Sequence, residues 1–175
     1  MSENVRFYPL EQLGTAAHDL WEAQRARLER LLPYADVLHV GSTAVPGSLT
    51  KGDLDIQVRV PGSRFEEASL LLARHYPRNT KSTSTEAFTA FEDPSGAVPL
   101  GIQLTAIDSE YDVFWRFREL FLRQRDLVES YNALKRAHEG GDMTDYRADK
   151  DRFFDALRET PEFRALTFSS EKRQD

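Results

Sequence analysis

Residues 53–60, Asp-Leu-Asp-Ile-Gln-Val-Arg-Val, alternate without a break between polar and apolar side chains. Period-two alternation marks a β-strand with two unlike faces. Leu54, Ile56, Val58 and Val60 point one way, and Asp53, Asp55, Gln57 and Arg59 the other. The strand therefore carries two carboxylates on one face, with Cα atoms about 7 Å apart at a rise of about 3.3 Å per residue. Upstream, residues 36–40 (Asp-Val-Leu-His-Val) read as a second short strand running into Gly41-Ser42. A glycine-serine turn answered, a short loop later, by a paired-acid strand is the frame on which the rest of the chain has to be built.

Pro9 suits the first position of a helix, where its missing N–H costs nothing. Leu10, Leu13, Ala17, Leu20, Trp21, Leu28, Leu31 and Leu32 then recur at helical spacing, so one long amphipathic helix is expected up to Leu32, ended by Pro33. After the acidic strand, Pro61-Gly62 makes a stop, and Ser63 with Glu66 has the spacing of a capping box for a helix through Phe65, Ala68, Leu71 and Leu72. Residues 79–84 read as a loop. Residues 87–91 and 98–107 read as two strands, arranged as a hairpin across Glu92-Asp93-Pro94-Ser95-Gly96. Asp108 is assigned to a helix cap. Val113, Phe114, Phe117, Leu120 and Phe121 form a helical stripe, a further helix begins at Asp126, and Gly140-Gly141 stops it before a third, for which Thr144 is the expected cap. The tail after Phe168 is polar and expected to fray. The fold class is α+β: a small mixed β-sheet packed on helices, with an α/β core over residues 1–108 and a helical part over residues 109–175 packed on it.

Composition narrows the partners. The 175-residue chain carries a formal net charge of −6, which disfavours nonspecific nucleic-acid binding driven by phosphate neutralisation. It has no cysteine, hence no disulfide or thiolate metal site, in keeping with a cytoplasmic location. No apolar run is long enough for a membrane span, and the first residues lack the apolar core of a signal peptide. A small molecule or a protein is the default partner.

The Gly41-Ser42 turn lets backbone approach a phosphate closely while the hydroxyl donates to it; the same pair also serves as an ordinary turn. Asp53 and Asp55 supply hard oxygen ligands of the kind Mg²⁺ takes, usually one or two carboxylates plus substrate phosphates. The competing reading of the pair is a sheet edge with solvated charges, neutralised by Lys51 and Arg59. Lys51, Arg118, Lys135 and Lys150 are candidates to meet an anion. His39 is read as a hydrogen-bonded, partly buried strand histidine, Tyr131 and Tyr146 as core residues or base-stacking platforms, and Trp21 and Trp115 as packing.

Taken together, Gly41-Ser42 followed at fixed spacing by Asp53 and Asp55 resembles the signature of the nucleotidyltransferase superfamily. His-Val-Gly-Ser-Thr-Ala-Val-Pro-Gly (39–47), Lys51, Phe117-Arg118, Tyr131-Asn132-Ala133-Leu134-Lys135 and Tyr146 with Lys150 and Phe153 resemble the GrpB family of that superfamily, over roughly residues 5–158. The resemblance implies a polymerase-β-like fold. It further implies an NTP as substrate or ligand, Mg²⁺ held by Asp53 and Asp55, and phosphates met by Gly41, Ser42, Lys51, Arg118 and Lys150. Two positions depart from the pattern. Many family members place the acids at the positions of Asp55 and Gln57, so the pair here is shifted along the strand. Superfamily enzymes also carry a third carboxylate on a later strand, where this chain has Gln103 and Thr105. The expected activity is Mg²⁺-dependent nucleotide binding or nucleotidyl transfer to an unidentified acceptor. The alternatives are a catalytically degenerate nucleotide- or anion-binding module and a protein-interaction domain.

Overall fold

The computed structural model describes residues 4–168. Its centre is a four-stranded mixed sheet in the order β2 (Asp36–Val40), β4 (Leu54–Val60), β6 (Leu100–Ala106), β5 (Phe88–Asp93). β4 runs parallel to β6, and the two outer strands are antiparallel to their neighbours. A two-stranded ladder of β1 (Tyr8–Pro9) and β3 (Leu49–Thr50) lies beside it. The helices are α1 (Ala16–Leu31), α2 (Phe65–Ala73), α3 (Phe114–Arg123), α4 (Arg125–Ala137), α5 (Met143–Arg158) and the short α6 (Pro161–Arg164). The α+β class and the mixed sheet are as expected. None of the helices among the described residues is long and apolar enough to cross a membrane.

The apolar face of β4 does what its alternation requires. Leu54, Ile56, Val58 and Val60 are fully buried and pack with Leu28 and Leu32 from the α1 side and Phe65, Ala68 and Leu72 of α2. Burying side chains of this size is worth about 1.5–3 kcal/mol each. The opposite face is also covered, by α3 and the helices behind it, whose aromatic stripe forms a second core around Trp115, Phe117, Phe121 and Tyr131.

That second layer overturns the solvated reading of Arg59. Its side chain is 2% exposed and donates from Nε and Nη2 to Asp112 at 2.6 Å each, and from Nη1 to Asp36 at 3.1 Å. Gln57, equally buried, donates to Thr105 and Asp112 and accepts the Trp115 backbone N–H at 2.8 Å, tying the start of α3 to the sheet. Buried polar groups persist only when so paired. Arg59 is thus committed to Asp112 and Asp36, with nothing left to neutralise the acidic pair.

Local punctuation differs from expectation at several points. Gly14, at φ +57°, breaks the first helix: Leu10–Leu13 forms a 3-10 turn and α1 starts only at Ala16, while Pro9 belongs to β1. Ser63 and Glu66 make no capping box, because Gly62–Arg64 is a 3-10 turn leading into α2. Asp142, not Thr144, caps α5, its carboxylate accepting the Thr144 N–H. Asp108 caps no helix; it sits at φ +63° in a turn and donates its N–H to Asp112. The hairpin strands are displaced, β5 running to Asp93 and β6 starting at Leu100. The tail beyond Phe168 lies outside the described residues.

Candidate functional site

β2 ends at Val40, directly opposite Asp55, and Gly41 then turns the chain with φ +74° into the Ser42–Ala44 3-10 turn. The glycine is required twice over. A left-handed φ is disfavoured for residues with a Cβ, and a Cβ at position 41 would lie 2.5 Å from Asp55 Oδ2. Gly101 faces Asp55 from β6, and a Cβ there would lie 2.9 Å from Oδ1. Asp55 therefore has its carboxylate in a slot between two glycines, with Gln103 Nε2 donating to Oδ1 at 3.2 Å.

Asp53 stands just before β4, which begins at Leu54, and its carboxylate is 3.7 Å from Lys51 Nζ. Burial, and secondarily the charge of Asp53, pushes the Asp55 carboxyl up from 3.8 to about 6, against the opposing pull of Lys150, Gln103 and Lys51. A site that makes its own carboxylate costly to ionise is one that a cation relieves.

The loop after the turn is held from below by α4. Asn132 accepts the Leu49 N–H and donates to the Gly47 carbonyl, both at 2.8 Å. Lys135, 1% exposed, donates to Ser42 Oγ at 2.7 Å and to the Leu49 carbonyl at 2.5 Å, and its Nζ lies 3.9 Å from the centre of the Tyr131 ring. Tyr131, Asn132 and Lys135 fall on one helical face, which is the signal for reading them as a unit. These bonds set Lys135 beside the hydroxyl that meets phosphate in the sequence-based expectation. Burial, with Lys150 adding to it, lowers its ammonium pKa to about 7.

Arg118 of α3 donates to the His39 carbonyl at 3.0 Å and to Glu119 at 2.8 Å. His39 itself hydrogen-bonds Thr43 and stacks on Trp21; burial first, then Arg118 and His18, lower its pKa to about 4 and keep it neutral. Tyr131 and Tyr146 join hydroxyls at 3.1 Å.

One cleft of about 360 Å³ brings together the site residues expected from sequence, Gly41, Ser42, Lys51, Asp53, Asp55, Gln103, Arg118 and Lys150, and with them the anion candidate Lys135 and the two tyrosines, Tyr131 and Tyr146. Gln57 is outside it, under α3. Five basic side chains (Lys51, Arg118, Lys135, Lys150, Arg158) face three acidic ones (Asp53, Asp55, Asp151), so the cleft suits an anion that brings a cation with it. Among the described residues no cluster of three or more His, Asp or Glu comes together to cage a metal by itself. The donor set does fit Mg²⁺, which takes one or two carboxylates and fills its octahedron with phosphate oxygens and water. Gln103, whose Nε2 donates to Asp55, has its Oε1 buried without a hydrogen-bond partner among the described residues.

Comparison with known proteins agrees with this frame. Residues 11–160 match the family described as GrpB protein. A UPF0157 protein of Vibrio cholerae serotype O1 is 30% identical over 158 residues, covering 90% of this chain and 84% of that one. Among solved structures, the conserved protein GrpB from Enterococcus faecalis superposes with a TM-score of 0.56 at 16% identity, covering 85% of this chain and 84% of that chain. The Cid1 poly(U) polymerase in its MgGTP-bound form gives 0.52 at 12% identity, over 73% of this chain and 42% of that chain. At these identities the likenesses establish the fold, that of the nucleotidyltransferases.

Proposed function

The chain belongs to the GrpB protein family and has the nucleotidyltransferase fold, and we propose that its cleft binds a nucleoside triphosphate with a divalent cation, in readiness for nucleotidyl transfer to a hydroxyl acceptor. The observation that carries this reading is the convergence of the Asp53–Asp55 pair, the Ser42–Lys135 pair and the Lys51, Arg118 and Lys150 cations on one cleft. Asp53 and Asp55 would hold Mg²⁺. That ion supplies charge stabilisation and alignment of the phosphates. Ser42 and Lys135, already hydrogen-bonded to each other, would meet the terminal phosphates, with Lys51, Arg118 and Lys150 offsetting the remaining charge. The acidic strand lies in the 1–108 part and Arg118, Lys135 and Lys150 in the 109–175 part, so the ligand would be gripped from both. Any rate enhancement would come mainly from positioning and electrostatic stabilisation.

A second reading, binding without turnover, is supported by Gln103, which lies beside Asp55 on the strand where the superfamily pattern would have a third carboxylate; an amide there is no base. Isothermal titration of the four NTPs with and without Mg²⁺ tests the shared claim. Metal-dependent binding that is lost in Asp55→Ala is expected; no binding of any NTP at millimolar concentration refutes both readings. Pyrophosphate release on adding candidate hydroxyl acceptors then separates transfer from binding alone.

A further inference from the structure

We propose that Ser42 is a nucleophile with Lys135 as its base, and that the cleft uses this pair to place a phosphoryl group on its own serine. The donor, the terminal phosphate of a nucleoside triphosphate, rests on the reading of the cleft given above; the pair does not. An activated hydroxyl is recognised by a base within about 2.6–3.2 Å that a third group holds in place. Ser42 Oγ and Lys135 Nζ stand 2.7 Å apart. The Leu49 carbonyl, accepting from Nζ at 2.5 Å, and the Tyr131 ring at 3.9 Å fix the amine. With an N–H turned to that carbonyl, a neutral amine still has its lone pair for the Ser42 proton. Lys135 is 1% exposed and no carboxylate forms an ion pair with it among the described residues, so burial favours the neutral form. Burial first, and then Lys150, bring its pKa down to about 7, which keeps much of the amine neutral at physiological pH. Access singles out this hydroxyl. Ser42 is half-buried and lines the cleft. Thr43 and His39 make a similar pair at 2.9 Å, but neither lines the cleft. Lys51, Arg118 and Lys150 line it too and favour a charged phosphoryl electrophile over an uncharged acyl one. In the step, Ser42 Oγ bonds to the terminal phosphorus as that phosphorus parts from its bridging oxygen. The serine proton passes to Lys135 Nζ and a nucleoside diphosphate leaves, so phosphoserine stands beside an ammonium in a charge-assisted pair.

The test follows the label. Full-length protein is incubated with Mg²⁺ and ATP labelled in either its γ or its α phosphate, and the modified peptide is identified by mass spectrometry. The γ label is expected on the peptide carrying Ser42, and none on Ser42→Ala. Lys135→Arg keeps a cation and its donors but has no lone pair to take the proton; it should label about 100-fold more slowly, the share of a general base, with folding verified by circular dichroism. Lys135→Met, with the same expected loss, replaces it if the arginine does not fit. A wild type that binds ATP by calorimetry but takes no label, or that takes the α label, overturns the inference and leaves the nucleotide reading standing. Labelling at the wild-type rate in a folded Lys135→Arg removes Lys135 as the base and overturns it too. Where the wild type binds no ATP, the nucleotide reading fails by itself, and a neutral fluorophosphonate, which needs neither metal nor nucleotide, decides the pair. Modification of Ser42 by that probe, slowed in Lys135→Arg, upholds the nucleophile; an unmodified Ser42 overturns it.

Discussion

Replacing Asp55 by Asn should make the protein more stable and the site useless. Asp55 ionises at about 6 in the fold against 3.8 for an ordinary aspartate, chiefly because burial between Gly41 and Gly101 strips its water. Between about pH 4 and pH 6 the folded chain still holds a proton that the unfolded chain has released, so stability falls as pH rises through that window. Above it the whole penalty is present, at most about 3 kcal/mol at 1.36 kcal/mol per pH unit. Asn keeps the shape and an acceptor for Gln103 but adds an amide N–H₂ facing Gly41, which takes back part of the gain. Urea unfolding of metal-free protein at pH 7.5 should therefore show Asp55→Asn more stable by about 1–3 kcal/mol with an unchanged m-value. The difference should shrink toward zero near pH 4. Adding Mg²⁺ and nucleotide at a hundred times the dissociation constant should stabilise the wild type by about 2.7 kcal/mol and leave the variant unmoved. A variant less stable at pH 7.5, or equally shifted at both pH values, refutes the claim that the fold carries an unrelieved charge at this point.

Other substitutions probe the frame. Asp112→Ala leaves the Arg59 guanidinium without its bidentate partner in the core and should cost about 3–5 kcal/mol, read by urea or thermal unfolding. Gly41→Ala combines a left-handed φ with a Cβ 2.5 Å from Asp55 Oδ2; it should lower stability by about 1–3 kcal/mol and abolish Mn²⁺ binding measured by calorimetry. Lys135→Met removes a donor to Ser42 and, on the proposed reading, to phosphate. Nucleotide affinity should drop about 10- to 100-fold, the loss of one charge-assisted hydrogen bond, while Lys81→Met, on the exposed loop after Asn79, should leave it unchanged.

Alternation in 53–60 was enough to predict β4 and the buried face of Leu54, Ile56, Val58 and Val60, because a two-residue period has one structural solution. The same alternation misleads about Arg59 and Gln57. It says that they oppose the apolar face, not that α3 covers them, and their partner Asp112 lies 53 and 55 residues away. Helical periodicity runs through Gly14 unbroken, since leucine spacing carries no record of a backbone that switches to φ +57°. The cleft residues from the turn and the acidic strand were legible because their chemistry is local. Lys135 was legible only as one basic residue among several. What singles it out, its bonds to Ser42 and the Leu49 carbonyl, depends on α4 docking beneath the loop. Gln103 reads as a departure from the acidic pattern in sequence, and the structure adds what it does there: it donates to Asp55.

The most direct test of the account is a crystal structure of the full chain soaked with Mn²⁺ and a nonhydrolysable NTP analogue. An anomalous Mn²⁺ peak is expected between the carboxylates of Asp53 and Asp55, with the terminal phosphates against Ser42 and Lys135. Nucleotide density seated away from that cleft, or Mn²⁺ bound without either aspartate, would contradict it.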